Sequence, residues 1–190
     1  MTERMKKSES RLPKEWFARD ATIVARELLG KIIRYGECAA EIVETEAYTT
    51  DAASHGQTLT ERSRVMYETY GHWYVYFTYG MHYCVNVTTN KEGVGAVLIR
   101  AAEPIDGLAR MQERRGLTEI RKLCSGPAKL CKAFGITKAE NGWPVEGSFA
   151  IHDAPLVPDS EVVTGPRIGI TRDTDLPWRF SIKGSSFVSR

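Results

Sequence analysis

The stretch from Trp73 to residue 88 constrains the fold of this chain most. Two β-branched and aromatic runs, residues 73–78 and 82–88, flank Tyr79-Gly80-Met81. A turn that short can join only antiparallel neighbours, because a parallel pair needs a crossover of about a dozen residues or more. Residues 31–35 and 38–48 read as two further strands joined through Gly36, and residues 94–101 as another beside the hairpin. Asp20 is placed to cap a helix over residues 21–29, which Gly30 would end. Pro104 suits the first turn of a helix running towards Arg115, with Ile105, Leu108 and Met111 at helical spacing. A shorter helix is expected over residues 128–134, closed by Gly135, and tail strands over 167–170 and 178–182. Strands outnumber helices and turns are short, so we expect an α+β fold. It should be a single domain over residues 1–190, with a mostly antiparallel sheet core, flanking helices, a protruding β-hairpin and a charged arm over about residues 1–19.

A chain of 190 residues can bury one core, and no run approaches the roughly 18 apolar residues of a membrane span. The first residues, Met1 to Lys7, are charged with no apolar stretch behind them, unlike a secretory leader. Cys38, Cys84, Cys124 and Cys131 form no Cys-x-x-Cys pair, and the four histidines are scattered. A zinc site is therefore not expected, and reduced thiols in a cytoplasmic protein are.

The near-neutral charge hides an asymmetry. From Glu41 to Glu61 there are five acids and no Lys or Arg, whereas Arg110 to Lys138 holds eight bases against Glu113 and Glu119. An acidic centre beside a basic surface suits an enzyme whose substrate hangs on a polyanion. Taken alone, the basic run reads more simply as a solvated helix face.

Alternation along residues 42–48 puts Ile42, Glu44 and Glu46 on one face, the two carboxylates about 7 Å apart at Cα. In a dry site such neighbours perturb each other's ionisation. On an exposed strand they would merely guard an edge. Tyr48 next to them adds a planar wall. In the hairpin, Tyr74 and Tyr76 share one face and Trp73, Val75 and Phe77 take the other. Tyr79 stands at the turn, where burial is incomplete, and an exposed aromatic there can wedge between stacked bases.

These segments together resemble the alkyladenine (3-methyladenine) DNA glycosylase family. The resemblance rests on Val43-Glu44-Thr45-Glu46-Ala47-Tyr48, Ala53-Ser54-His55, Tyr74-Val75-Tyr76, Tyr79-Gly80-Met81 and Asn86. It continues through Leu98-Ile99-Arg100-Ala101-Ala102-Glu103-Pro104, Cys124 to Leu130 and Gly165-Pro166-Arg167-Ile168-Gly169, and runs from about Leu28 to the C-terminus. It implies a monofunctional glycosylase acting on double-stranded DNA that carries a damaged purine. Such an enzyme is expected to be a monomer with no membrane partner and no metal or organic cofactor, in the cytoplasm or, in a eukaryote, the nucleus. Glu46 then looks like the general base, with Arg100 and the Ile168 carbonyl as further partners of its water. Tyr48, His55 and Tyr76 resemble the walls of a flipped-base pocket, and Asn86 the residue that crowds the amino group of normal guanine. Tyr79 corresponds to the intercalating side chain, with Met81 beside it.

Two other readings stay open on the residues alone. One is a non-catalytic nucleic-acid-binding module; the other is a glycoside hydrolase of free nucleosides or sugars using Glu44 and Glu46 as a pair.

Overall fold

The computed structural model describes residues 10–189. Eight strands form one antiparallel sheet: β1 Ile32–Tyr35, β2 Cys38–Tyr48, β3 Trp73–Thr78, β4 His82–Thr89, β5 Gly95–Asp106, β6 Phe149–His152, β7 Val162–Gly165 and β8 Arg179–Ile182. The main path runs β3-β4-β5-β2-β1-β6, and β8 joins β2 and β7 off that path. Four α-helices among the described residues accompany it: α1 Ala21–Glu27, α2 Arg64–Glu68, α3 Leu108–Arg115 and α4 Pro127–Phe134. The α+β expectation holds, including the hairpin at the sheet's end.

The two faces of the sheet do different things. Trp73, Val75, Val85, Val87, Val97 and Ile99 alternate onto the face that packs the main core with α1 and α4. The Trp73 ring stacks on Phe149 at 3.7 Å between centroids and donates to the Phe149 carbonyl. Tyr74 and Ala96 fall on the opposite face and join a smaller cluster with Met66 of α2. That division of one hairpin into a core side and a second side is the one alternation predicts. The second side carries the cavity described below.

Helix α1 begins where Asp20 accepts from the Thr22 amide at 2.8 Å, as expected of an N-cap. Helix α4 ends at Gly135, also as expected. The Pro104 expectation fails. Strand β5 runs on to Asp106, with Pro104 paired to Ala40 beside a register shift at Ala39/Ala40. Proline is tolerated at such a bulge because no ladder N–H is needed there. Helix α3 starts instead after Gly107, whose φ of +73° and whose position against the Glu37 carbonyl exclude a side chain.

The tail expectation is half right. Residues 178–182 do contain β8, but residues 167–170 form a turn, and the strand before them is Val162–Gly165. The expected charged arm lies only partly among the described residues. Residues 1–9 lie outside the described residues, whereas Leu12 and Phe17 are buried and Arg11 bridges to His152. All four cysteines are free and buried. No helix among the described residues is long and apolar enough to cross a membrane.

Candidate active site

A cavity of about 360 Å³ opens on the second face of the sheet. It falls at the small end of the ~300–1,000 Å³ usual for small-molecule pockets. Its floor follows from strand register. Tyr74 pairs with Asn86, Asn86 with Leu98, and Leu98 with Glu46, so one rung across four strands carries all four side chains on the same face. Tyr74, Asn86 and Leu98 line the cavity, with Tyr48, Tyr76 and His55 around them.

Glu46 lies directly behind that lining. Its side chain is fully buried, and three donors converge on it: the Tyr48 hydroxyl at 2.8 Å, Arg100 Nη1 at 3.2 Å and the Ile168 amide at 2.7 Å. Each of these three residues lines the cavity. The exposed-edge reading of the two glutamates is thereby overturned. Strand β2 is flanked by β5 on one side and by β1 and β8 on the other, and both carboxylates are at 0% exposure.

Arg100 owes its aim to an irregularity no sequence pattern shows. The register passes from Glu44↔Ala101 to Thr45↔Ile99, leaving Arg100 without a partner across the ladder. Such bulges re-aim a side chain. Arg100 bridges the two acids, with Nε 3.4 Å from Glu44 and Nη1 3.2 Å from Glu46. Glu44 itself does not line the cavity; it also pairs with Arg179 at 3.0 Å and accepts from the Ser189 amide at 2.7 Å.

The aromatic walls are fixed by their neighbours. His55 Nδ1 meets the Tyr74 hydroxyl at 2.8 Å, and its ring stands edge-on to Tyr76 at 4.7 Å. Burial, helped by the positive charge of Arg62, pushes the His55 pKa below its ordinary value, which favours neutral imidazole near pH 7. Burial, followed by the neighbouring Glu46 charge, drives the Tyr48 hydroxyl far up, so it stays a donor. Burial also raises Tyr76.

Behind Tyr48 sits Arg167, whose guanidinium lies 4.6 Å from the Tyr48 ring and 5.2 Å from Trp178. It donates to the Ala47 carbonyl at 3.0 Å and to Asp51 at 2.6 Å. This clasp ties the loop carrying His55 to the turn carrying Ile168, reinforced by the Ala52 amide on Asp173.

At the hairpin tip, Tyr79 is 82% exposed and Met81 68% exposed. Tyr79 also lines the mouth of the cavity; Met81 does not. Tyr79 and Gly80 have φ of +50° and +67°, closed by the Met81 amide on the Thr78 carbonyl. A left-handed tyrosine costs about 1–2 kcal/mol. Strain of that kind is tolerated where the surroundings fix it, often at functional sites.

The structure thus brings Glu46, Tyr48, His55, Tyr76, Asn86, Arg100 and Ile168 together, with Tyr79 at the rim. Ile168 also donates its N–H to Glu46, a contact the sequence did not suggest. The sequence reading gave no role to Arg62, Arg167, Asp51, Arg179 or Ser189. Arg62 lines the cavity and makes no ion pair among the described residues. The basic run of residues 110–138 is mostly consumed internally. Arg110 pairs with Glu37 and Glu113, Lys122 pairs with Glu119, and Arg114 and Arg115 cap carbonyls. Arg121, Lys132 and Lys138 make no ion pair among the described residues.

Fold and cavity together define an α+β protein with an aromatic-lined pocket beside a buried carboxylate. Comparison with known proteins narrows that class. The methylpurine-DNA glycosylase family model matches residues 15–186, and this chain belongs to that family. A relative from Rhodopseudomonas palustris is 51% identical over 183 residues, covering 94% of this chain and 88% of its own length. One from Chlorobaculum tepidum is 44% identical, covering 95% and 91%, and one from Agrobacterium fabrum is 45% identical, covering 94% and 92%. Each bears the name "Putative 3-methyladenine DNA glycosylase". The match begins upstream of Leu28, where the sequence motifs alone had started it.

Proposed function

We propose that this protein is a DNA glycosylase of base-excision repair. In this reading it rotates an alkylated or deaminated purine out of duplex DNA and hydrolyses its N-glycosidic bond with a water activated by Glu46. The observation that carries the reading is the convergence of Tyr48, Arg100 and Ile168 on one buried carboxylate directly behind an aromatic cavity.

A base inside a duplex is out of reach of any pocket, so extrusion must come first, at a few kcal/mol. Tyr79, exposed at the tip, fills the gap left in the stack, with Met81 beside it. The extruded purine stacks on Tyr48 and Tyr76, and cationic 3- or 7-alkylpurines stack more strongly on such rings. Neutral His55 offers the base or its backbone one hydrogen bond. Asn86, held by its amide on the Tyr74 carbonyl at 3.0 Å, crowds the exocyclic amino group of undamaged guanine. Arg62 at the rim serves a backbone phosphate.

Cleavage builds positive charge on the sugar, which the Glu46 carboxylate stabilises while directing water onto the anomeric carbon. Access comes when the half-exposed Ile168 turn lifts its N–H from Oε1. Arg100 and Tyr48 keep the other oxygen in place meanwhile. The departing purine leaves with the bonding pair, and the proton of water passes to Glu46. Such a single displacement requires one base and one water, with no nucleophilic lysine, metal or organic cofactor. The paired-carboxylate alternative loses ground, because Arg179, Ser189 and Arg100 already occupy Glu44.

The test is a base-release assay on duplexes that each carry 3-methyladenine, 7-methylguanine, hypoxanthine or ethenoadenine. Release of at least one of them, weakening steeply with salt as phosphate contacts are lost, is expected. Turnover of free nucleosides with no release from any duplex would overturn the reading.

A further inference from the structure

We propose that Glu44 is a positioning residue that holds both Arg100 and the Ile168 turn on Glu46. The inference rests on the reading of Glu46 as the base.

Glu44 touches neither the cavity nor any group there except Arg100, yet it is at 0% exposure and fully engaged. Its first link is the Arg100 Nε, 3.4 Å from Oε1. That Nε is buried and makes no hydrogen bond, so the ionic contact with Glu44 is what fixes it. Ser189 closes the same corner: its amide donates to Glu44 Oε2 at 2.7 Å, and its Oγ accepts from Arg100 Nη2 at 3.2 Å. With Nε and Nη2 both held from behind, only Nη1 is left to face Glu46, at 3.2 Å. The bulge leaves Arg100 outside the ladder pairing, which raises the need for such side-chain anchoring.

The second link is Arg179. Its Nη1 lies 3.0 Å from Glu44 Oε1, while its Nε donates to the Pro166 carbonyl at 2.9 Å. Pro166 opens the turn whose Ile168 amide holds Glu46. One carboxylate therefore stands behind two of the three donors to Glu46. The charges also alternate through the cluster, Arg179, Glu44, Arg100, Glu46, so loss of the Glu44 charge leaves the buried Arg100 guanidinium and the partly exposed Arg179 competing for one acid. In such a competition Arg100 turns and its distance to Glu46 is no longer set.

The experiment uses the full chain carrying Glu44→Gln, which keeps the shape and an acceptor but removes the charge. Single-turnover base release, affinity for a lesion-bearing duplex and the Arg100 Nε–Hε resonance by NMR are read together. Misplacement of a catalytic group by about 1 Å costs on the order of 100-fold. We expect release to slow by about 10- to 100-fold with duplex affinity changed less than threefold, and the Arg100 Nε–Hε signal to broaden or vanish. In an Arg100→Gln background the same substitution should cost about threefold or less, because interacting residues are not additive. Unchanged release and an unchanged Arg100 signal would overturn the proposal, as would an equal loss in both backgrounds. If the unsubstituted chain releases no base from any duplex, the function reading fails by itself, and the Arg100 signal decides the positioning claim alone. Should Glu44→Gln not fold, Ser189→Ala carries the test at smaller scale. Release about threefold slower with a perturbed Arg100 signal supports the claim, and no change in either refutes it.

Discussion

Replacing Asp51 with alanine should open the clasp behind Tyr48 and destabilise the whole protein. The Arg167 side chain is at 0% exposure and Asp51 at 5%, with 2.6 Å between Nη2 and Oδ1. Arg167 Nε is buried with no hydrogen bond, so Asp51 is its one counter-charge within ion-pair distance among the described residues. Removing one partner of a buried pair costs about 3–5 kcal/mol, because the other charge stays behind. Asp51 also caps the Thr49 and Ala53 amides at 3.0 and 3.1 Å. The contacts with Tyr48, Trp178 and the Ala47 carbonyl survive the substitution and limit the loss. A total near 4 kcal/mol, at about 2–4 °C per kcal/mol for a protein of this size, lowers Tm by roughly 8–16 °C.

Thermal melts by circular dichroism at pH 7 measure this directly, and pH supplies a second arm. Burial pushes the Asp51 carboxyl up, but the Arg167 hydrogen bond and the two amides outweigh it and hold the pKa below its ordinary value. A group depressed in the folded state contributes stability that is present above its unfolded pKa of about 3.9 and is lost as pH falls through the folded value. The gap in Tm between the two proteins should therefore narrow below about pH 4. A fall of less than 3 °C at pH 7, or a gap that stays constant down to pH 3, would refute the argument.

Tyr79→Ala should slow base release from duplexes about tenfold, in line with ~1–3 kcal/mol for one base–aromatic stack. Release from single strands should hardly change, and equal losses on both substrates would remove the wedge role. Gly80→Ala, at φ +67° with open space around it, should cost about 1 kcal/mol through backbone strain alone. It should mimic a weaker Tyr79→Ala in the same duplex assay, and wild-type kinetics would show that the tip geometry is irrelevant. Arg62→Gln should reduce the slope of log affinity against log salt by about one while leaving the base preference intact. An unchanged slope would remove Arg62 from phosphate binding.

The parts of the fold written in local chemistry were legible in advance. The Asp20 cap, the Tyr79-Gly80 turn and the closure of α4 at Gly135 each depend on a few adjacent residues. Features that depend on distant pairing were not. The bulge near Pro104 was misread as a helix start because proline satisfies both rules locally. Arg167 to Ile170 has strand-like alternation, but the buried guanidinium of Arg167 requires the chain to turn there. The site followed the same division. Glu46, Tyr48 and Tyr76 stood out by residue type on recognisable strands. Arg179 and Ser189 reach Glu44 from 135 and 145 residues away, and neither has a local signature. The expected alternation holds for Glu44 and Glu46 but not for Ile42, which the register shift between Ile42 and Glu44 turns into the main core.

The most direct measurement is single-turnover release of 3-methyladenine or 7-methylguanine by Glu46→Gln beside the unsubstituted chain, with duplex affinity measured in parallel. Glutamine keeps the size of the side chain and can still accept from Arg100 and Tyr48, so the cavity survives while the base does not. The account predicts release slower by about 100- to 10,000-fold, the range of general-base catalysis, with affinity for the lesion duplex within threefold. Release within tenfold of the unsubstituted chain would contradict it.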